Sequence, residues 1–501
     1  MDSIRPQRPQ VLIFGDSNRD GKVDEADIAG RDQWSWEGPG AFFLANLDDD
    51  DGDGVVDSAD LHINGCQDEA DLARLKVRLE PAMLAPGNQV RVDSSVPGVR
   101  IYERTDEGWK LVEDALKNPT SEMELAVEGS AFASKDWNGR AEIRLEVRDS
   151  QGRSLAQDCA QMRVAPVLLL PNVAETRELY VAAGHPNYEN TRFREQLAEA
   201  CQDSDVQLVT HQTTSWKEMW MQDTMEVGYT QLPGGAPQHL VLGGLRQADS
   251  FGPLLLGPDR GFLQVGQYRD IHDGVDDWAD WMGNLEVSPP VPGYPLGRIF
   301  YGKNTDTGTT LHPELVSFLE AQEVQAPFWV DTGFLTIKHV DEIANFLPGP
   351  DGRTRLLFAD TRSAAQLAPE LNGPSNAPNQ ERLDKVLHGG PYPSGEFNPG
   401  LLAHLNLSED QVVRLPVSYE GGHNIWSNPV NSIYLKGIAV TGDRHVPESV
   451  AREIESRLVG AGAQQVRFVD DRRYQDNAGN VHCATNSLKQ PVVPDFSQHL
   501  G

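Results

Sequence analysis

Apolar and polar residues alternate with period two through a series of short segments: Leu75–Leu79, Gln89–Val92, Val99–Tyr102, Met123–Val127, Ala141–Val147 and Gln161–Val164. Side chains two apart on a strand share a face, so this alternation predicts half-buried strands. Turn residues separate the segments, which predicts an antiparallel β-sandwich. Gln10–Phe14 reads as a further strand. At Ala165-Pro166 the pattern changes. Val167–Leu170 is a continuous apolar strand, Thr191–Cys201 has helical periodicity, and Val206–Thr210 is again a strand. Pro447–Val459 and Gln464–Phe468 repeat the helix–strand order near the end. The chain reads as α/β, with one domain over 1–164 and a second over 165–501.

The chain has 501 residues, too many for one ordinary core. No run of about 20 apolar residues is present, so no membrane-spanning helix is expected. Met1–Gln10 is polar and proline-bearing, unlike a signal peptide. Acidic residues outnumber basic ones 75 to 43, a net charge of −32. That field repels nucleic acid and suits bound cations or a basic substrate. Cys66, Cys159, Cys201 and Cys483 show no CxxC spacing and no disulfide framework. The sandwich segment has immunoglobulin-like size and offers no nucleophile–base pair.

Two acidic stretches look built for a cation. From Asp16 to Asp27, oxygen-bearing side chains fall at loop positions 1, 3, 5, 9 and 12, with Gly21 at position 6. Calcium takes six to eight hard oxygens, and the glycine permits the sharp turn. Asp16, Asn18, Asp20 and Asp27 are the expected ligands, although an EF-hand loop ends in Glu where Asp27 stands. The second stretch runs from Asn46 to Asp60, and carboxylates packed this densely repel one another without a cation. Loop spacing alone would choose Asp49, Asp51 and Asp53.

Three motifs carry chemistry: Trp220 to Tyr229, Phe334 to Glu342, and Val481 to Asn486 around Cys483. On a strand, His339 and Asp341 would project from one face. An imidazole and a carboxylate within an apolar stretch are costly unless they bind something. Asp223 lies beside Trp220. Together these residues are a thiol, an imidazole and two carboxylates. Two carboxylates can hold a planar guanidinium by paired charge-assisted hydrogen bonds. A thiolate can attack its central carbon, and a histidine can protonate departing ammonia and then activate water. That logic points to hydrolysis of an arginine-like group.

The motifs WMQDTMEVGY, GNLEVSPPV with YPLGRI, HVDE and VHCATN, in this order, resemble protein-arginine deiminases. The segment SWEGPGAFFLAN and the acidic clusters resemble that family's immunoglobulin-like, calcium-binding middle domain, so the likeness covers nearly the whole chain. The additional N-terminal domain of the animal members has no counterpart. The resemblance implies a pentein α/β propeller of five ββαβ-like units for the second domain. It implies a catalytic group of Asp223, His339, Asp341 and Cys483, with Trp220 along the substrate arginine and Arg246 at its peptide backbone. For one catalytic-domain calcium it implies Gln222, Glu226 and Glu286 side chains with Met282 and Leu285 carbonyls. For the middle-domain cluster it implies Asn46, Asp48, Asp50 and Asp60, tied to the catalytic domain by Asp259. It thus favours a different register from the loop spacing. Thr224 and Gly243-Gly244 stand where a second catalytic-domain calcium would be held, so that ion is expected to be lost or weakened. Asn477 replaces an arginine that lines the family's substrate entrance. Asp16–Asp27 is more complete than in the animal members.

The expectation is a calcium-dependent enzyme converting arginine in proteins or peptides to citrulline, with no nucleic-acid or membrane partner. Two rivals stand beside it: a free-arginine or agmatine deiminase, towards which Glu420-Gly421-Gly422-His423-Asn424 points, and a calcium-stabilised binding protein without catalysis. Calcium sites of this kind fill most readily outside the cytoplasm, which leans towards secretion, with a cytoplasmic location as the alternative. Oligomeric state is not legible.

Overall fold

The computed structural model describes residues 10–244, 251–266 and 278–500. The first half holds β1 (Val11–Gly15), β2 (Ala41–Phe43), β3 (Ala73–Leu79), β4 (Gln89–Ser94), β5 (Val99–Thr105), β6 (Gly108–Leu111), β7 (Glu122–Gly129), β8 (Arg140–Arg148) and β9 (Ser154–Val164); every alternating segment lies in one of them, and β2 and β6 were not expected. In β3, Ala73, Leu75, Val77 and Leu79 are buried while the residues between them are not. One sheet has the order β1-β3-β7-β5-β6 and a second β2-β9-β8-β4. Ile13, Leu75 and Leu125 from the first share a core with Phe43, Ile143 and Met162 from the second. Burial of such side chains contributes roughly 1.5–3 kcal/mol each.

Beyond Val164 the described residues form five sheets of three or four strands and two two-stranded ribbons, and the five larger ones share one plan. Each joins an antiparallel pair to a parallel neighbour, and a helix or short helical turn fills the parallel crossover. Thus Ile299–Lys303 pairs antiparallel with Leu285–Val287 and parallel with Phe328–Asp331, across helix Pro313–Ala321. Ile438–Gly442 pairs with Ile433–Leu435 and Gln465–Val469, across helix Glu448–Ala461. Thr485–Lys489, immediately after Cys483, returns to pair antiparallel with Thr176–Ala183 near the start of this half. That pairing anchors the chain two residues beyond the cysteine.

Two local expectations change. The apolar run Val167–Leu170 is a strand only at Leu168–Leu169. Val340–Glu342 is a 3-10 turn, not a strand, with His339 extended at its start. Ile343 N–H donates to the Val340 carbonyl, and Val340 N–H donates to Asn284 Oδ1 at 3.1 Å. No helix among the described residues is long and apolar enough to cross a membrane.

Candidate active site

Asp223 lies in the turn Met221–Thr224, directly before strand Met225–Gln231. His339 and Asp341 come from the 3-10 turn, and Cys483 from the loop before the last strand. These four residues, far apart in sequence, meet. His339 Nδ1 is 3.4 Å from Asp223 Oδ1. Cys483 Sγ is 3.3 Å from Asp341 Oδ2. Because a carbonyl only accepts, His339 Nε2 carries the hydrogen that it donates to the Trp278 carbonyl at 2.8 Å. Asp223, His339 and Cys483 line a cavity of about 450 Å³ with Trp220, Trp281 and Asn477. Asp341 does not line it; it is 1 % exposed and lies behind the cysteine.

Burial dominates the electrostatics. It pushes the Asp223 carboxyl up to about 7, a rise opposed by His339 and reinforced by Asp341. Burial also pushes the Cys483 thiol well up, helped by the Asp341 and Asp223 carboxylates. Asp223 Oδ1 and Asp341 Oδ1 are both buried without a hydrogen-bond partner. Buried carboxylate oxygens normally have one, so each orphan is a site that a cationic donor group would satisfy. Gly283 makes the close packing possible: a Cβ there would stand 2.4 Å from Asp223 Oδ1 and 2.6 Å from His339 Nδ1.

Behind the cysteine lies a buried charged layer. His482 Nδ1 is 2.9 Å from Asp341 Oδ2, and its Nε2 is 3.4 Å from Glu286 Oε1. Burial alone would depress this imidazole, but Glu286 and Asp341 outweigh it and raise its value. Gln222 Nε2 donates to Glu226 Oε2 at 2.8 Å. Burial pushes Glu226 up to about 7 and Glu286 up to about 8. Gln222, Glu226 and Glu286 are thus gathered hard-oxygen groups, and Glu286 Oε1 is buried with no hydrogen-bond partner. Met282 and Leu285 flank them in and after the turn Met282–Asn284.

In the first half, both registers of the acidic loop occur, on alternate residues. Asp48, Asp50 and Asp259 bring ligand atoms within 4.8 Å of one another, and so do Asp49, Asp51 and Asp53. Burial and neighbouring aspartates push Asp48 up to about 9. Asp48 Oδ2, Asp50 Oδ2 and Asp71 Oδ2 are buried without partners. Asn46 accepts from Gln238 Nε2 at 2.7 Å and donates to Asp68. Asn64 Nδ2 donates to both Asp60 and Asp51, and Asp60 also adjoins Asp57 and Asp68. In the first loop, Asp16, Asn18 and Asp20 accept backbone N–H groups in the expected turn. Asp27 caps Asn18 and Asp24, and among the described residues no three acidic groups of this loop converge as those above do. Arg246 lies outside the described residues.

Several site residues escaped the sequence reading. Asn431 bonds the cysteine, His482 backs it, and Asp57, Asp68 and Asp71 join the Asp48 cluster. Trp216, Trp278 and Trp281 form an aromatic wall at the cavity, with Trp278 and Trp281 centroids 4.9 Å apart. The i, i+3 spacing of Asp68 and Asp71 was the available signal for that pair. No local pattern announces the others.

A sequence model of protein-arginine deiminase (PAD) matches residues 154–386. Protein-arginine deiminase type-4 of Rattus norvegicus is 30% identical over 563 residues, spanning 97% of this chain and 82% of that protein. The Homo sapiens type-4 protein is 26% identical, spanning 96% and 81%. Among solved structures, an agmatine deiminase from C. Jejuni superposes with a TM-score of 0.38 at 11% identity, covering 65% of this chain and 96% of that one. With this extent of shared sequence, the chain belongs to the protein-arginine deiminase family of hydrolases.

Proposed function

We propose that this protein hydrolyses the guanidinium of arginine within peptides or proteins, giving citrulline and ammonia under calcium control. The observation that carries the reading is the pair of orphaned buried oxygens, Asp223 Oδ1 and Asp341 Oδ1, beside Cys483 and His339. A guanidinium satisfies both by charge-assisted hydrogen bonds. Its charge also favours the thiolate, which burial and the two aspartates otherwise disfavour. The thiol proton passes to His339, the Cys483 sulfur pair forms a bond to the central carbon, and the carbon–nitrogen π pair moves onto nitrogen. His339 gives that nitrogen a proton, the carbon–nitrogen bond breaks, and ammonia departs. The resulting thiouronium is attacked by water, which loses a proton to His339. Cleavage of the carbon–sulfur bond returns the electron pair to sulfur. Guanidinium and water become the neutral ureido group and ammonium.

Gln222, Glu226 and Glu286, with the Met282 and Leu285 carbonyls, fit calcium by donor chemistry, as do Asn46, Asp48, Asp50 and Asp259. Bound there, calcium would neutralise carboxylates that burial now makes costly. Thr224 donates its hydroxyl to the Met221 carbonyl, and a Cβ at Gly244 would meet the Thr224 carbonyl at 2.7 Å. That packing supports loss of the second catalytic-domain ion. We also read 1–164 as the immunoglobulin-like domain and 165–501 as the pentein propeller, the five small sheets supporting the latter.

The test is citrulline release from an amino- and carboxyl-blocked arginine peptide and from free arginine, with calcium and with EDTA. Wild type should turn over the blocked peptide only with calcium, and Cys483→Ala should release none. Undiminished activity in Cys483→Ala refutes the nucleophile. Turnover of free arginine alone favours the small-molecule deiminase reading, and full rate in EDTA refutes calcium control.

A further inference from the structure

Cys483 Sγ has two polar neighbours of opposite character. Asp341 Oδ2, at 3.3 Å, can only accept while ionised, so it takes the thiol hydrogen. Asn431 Nδ2, at 3.1 Å, donates to the sulfur. Asn431 sits just before strand Ile433–Leu435, 52 residues from the cysteine, and is 1 % exposed. Its orientation is fixed by its other end: Oδ1 accepts the Cys483 backbone N–H at 3.2 Å. A backbone N–H cannot accept, so the amide oxygen must face it and the amide nitrogen must face the sulfur. The Asn431 backbone carbonyl also accepts the His482 N–H at 3.3 Å. Three hydrogen bonds therefore tie one asparagine to the two residues His482 and Cys483.

We propose that Asn431 is a catalytic residue, its carboxamide N–H donating to the Cys483 sulfur and holding it as the attacking and leaving thiolate. This rests on Cys483 being the nucleophile. When the thiol loses its proton, the contact with Asp341 changes from attraction to repulsion. The contact with Asn431 becomes charge-assisted and strengthens. The same donor acts again in the second half of the reaction, when the carbon–sulfur bond breaks and its electron pair returns to sulfur. The carboxamide is uncharged and keeps its hydrogens throughout, so it serves both steps without moving a proton. Placed on a buried residue just before strand Ile433–Leu435, it needs little reorganisation at either step.

Asn431→Asp separates this role from a structural one. Aspartate keeps the shape and the acceptor for the Cys483 N–H, but it presents an acceptor where the sulfur needs a donor. With calcium and a blocked arginine peptide, the expected result is a kcat loss of about 10²-fold or more, with KM changed less than about threefold. Alkylation of Cys483 by iodoacetamide, followed by mass spectrometry, should slow at least about tenfold. Asn431→Ala should behave likewise, and it decides the matter on the same readouts if the aspartate variant does not fold. Wild-type kcat and wild-type labelling in a folded variant overturn the proposal. Cys483→Ala is run alongside: if it stays active, the nucleophile assignment fails. If it is inactive while the Asn431 variants keep full rates, only the Asn431 proposal fails.

Discussion

Replacing Gly283 by alanine would put a methyl group where Asp223 and His339 already are. The backbone of Gly283 lies outside the left-handed region, so alanine costs nothing conformationally; the effect is purely one of space. A Cβ would stand 2.4 Å from Asp223 Oδ1 and 2.6 Å from His339 Nδ1, against 3.4 Å or more for ordinary contact. Neither neighbour is the free end of a flexible chain: Asp223 is 7 % exposed and His339 0 %. Relief therefore displaces the carboxylate, the imidazole or the turn by about 1 Å, a misplacement that costs on the order of 10²-fold in rate. That is about 2.7 kcal/mol of barrier. Overpacking of this kind also destabilises by roughly 1–3 kcal/mol. The assay is kcat on a blocked arginine peptide in calcium, with Tm measured on the same samples. Gly257→Ala is the control, since nothing lies within 4 Å of a Cβ there. A Gly283→Ala enzyme within threefold of wild type, with unchanged Tm, would show that Asp223 and His339 need not hold these positions.

Gly460 lies inside helix Glu448–Ala461 with open space around its would-be Cβ, so Gly460→Ala should stabilise by about 0.5–1 kcal/mol in a denaturant titration and leave kcat unchanged. In EDTA, burial and neighbouring aspartates hold Asp48 up to about 9 and Asp57 and Asp71 up to about 8. These folded values exceed the unfolded carboxylate value of about 3.9, so the native chain keeps the extra protons. Stability is then greatest below about pH 4 for these groups and falls as pH rises towards about 9. Asp48→Asn should raise Tm in EDTA at about pH 8 and shrink the rise in Tm that calcium gives. A lower Tm in EDTA for that variant would contradict the repulsion argument.

How much of this was legible in the chain depended on the range of the interaction that decides each feature. The six period-two segments became β3, β4, β5, β7, β8 and β9 with their ends shifted by a few residues, because each strand announces its buried face locally, whereas β6 carried no such signal. Helices Thr191–Asp203 and Glu448–Ala461 were legible for the same reason. His339 to Asp341 misled, since apolar neighbours favour a strand, whereas the backbone turns to meet Asn284 Oδ1, a partner 56 residues away. The acidic loop is the sharpest case. Asp49, Asp51 and Asp53 accept backbone N–H groups of their own loop, so spacing finds them. Asp48 and Asp50 turn the other way, towards Asp259 across 209 residues of chain, and no local spacing contains that partner. Alternation along one extended loop gathers a group of carboxylates on each side, one for each reading. Cys483 follows the same logic: its neighbours Asp341 and Asn431 are brought in by separate strands and turns, and their hydrogen bonds and the cavity beside it distinguish this thiol from the other buried cysteine, Cys201, whose value is raised by burial alone.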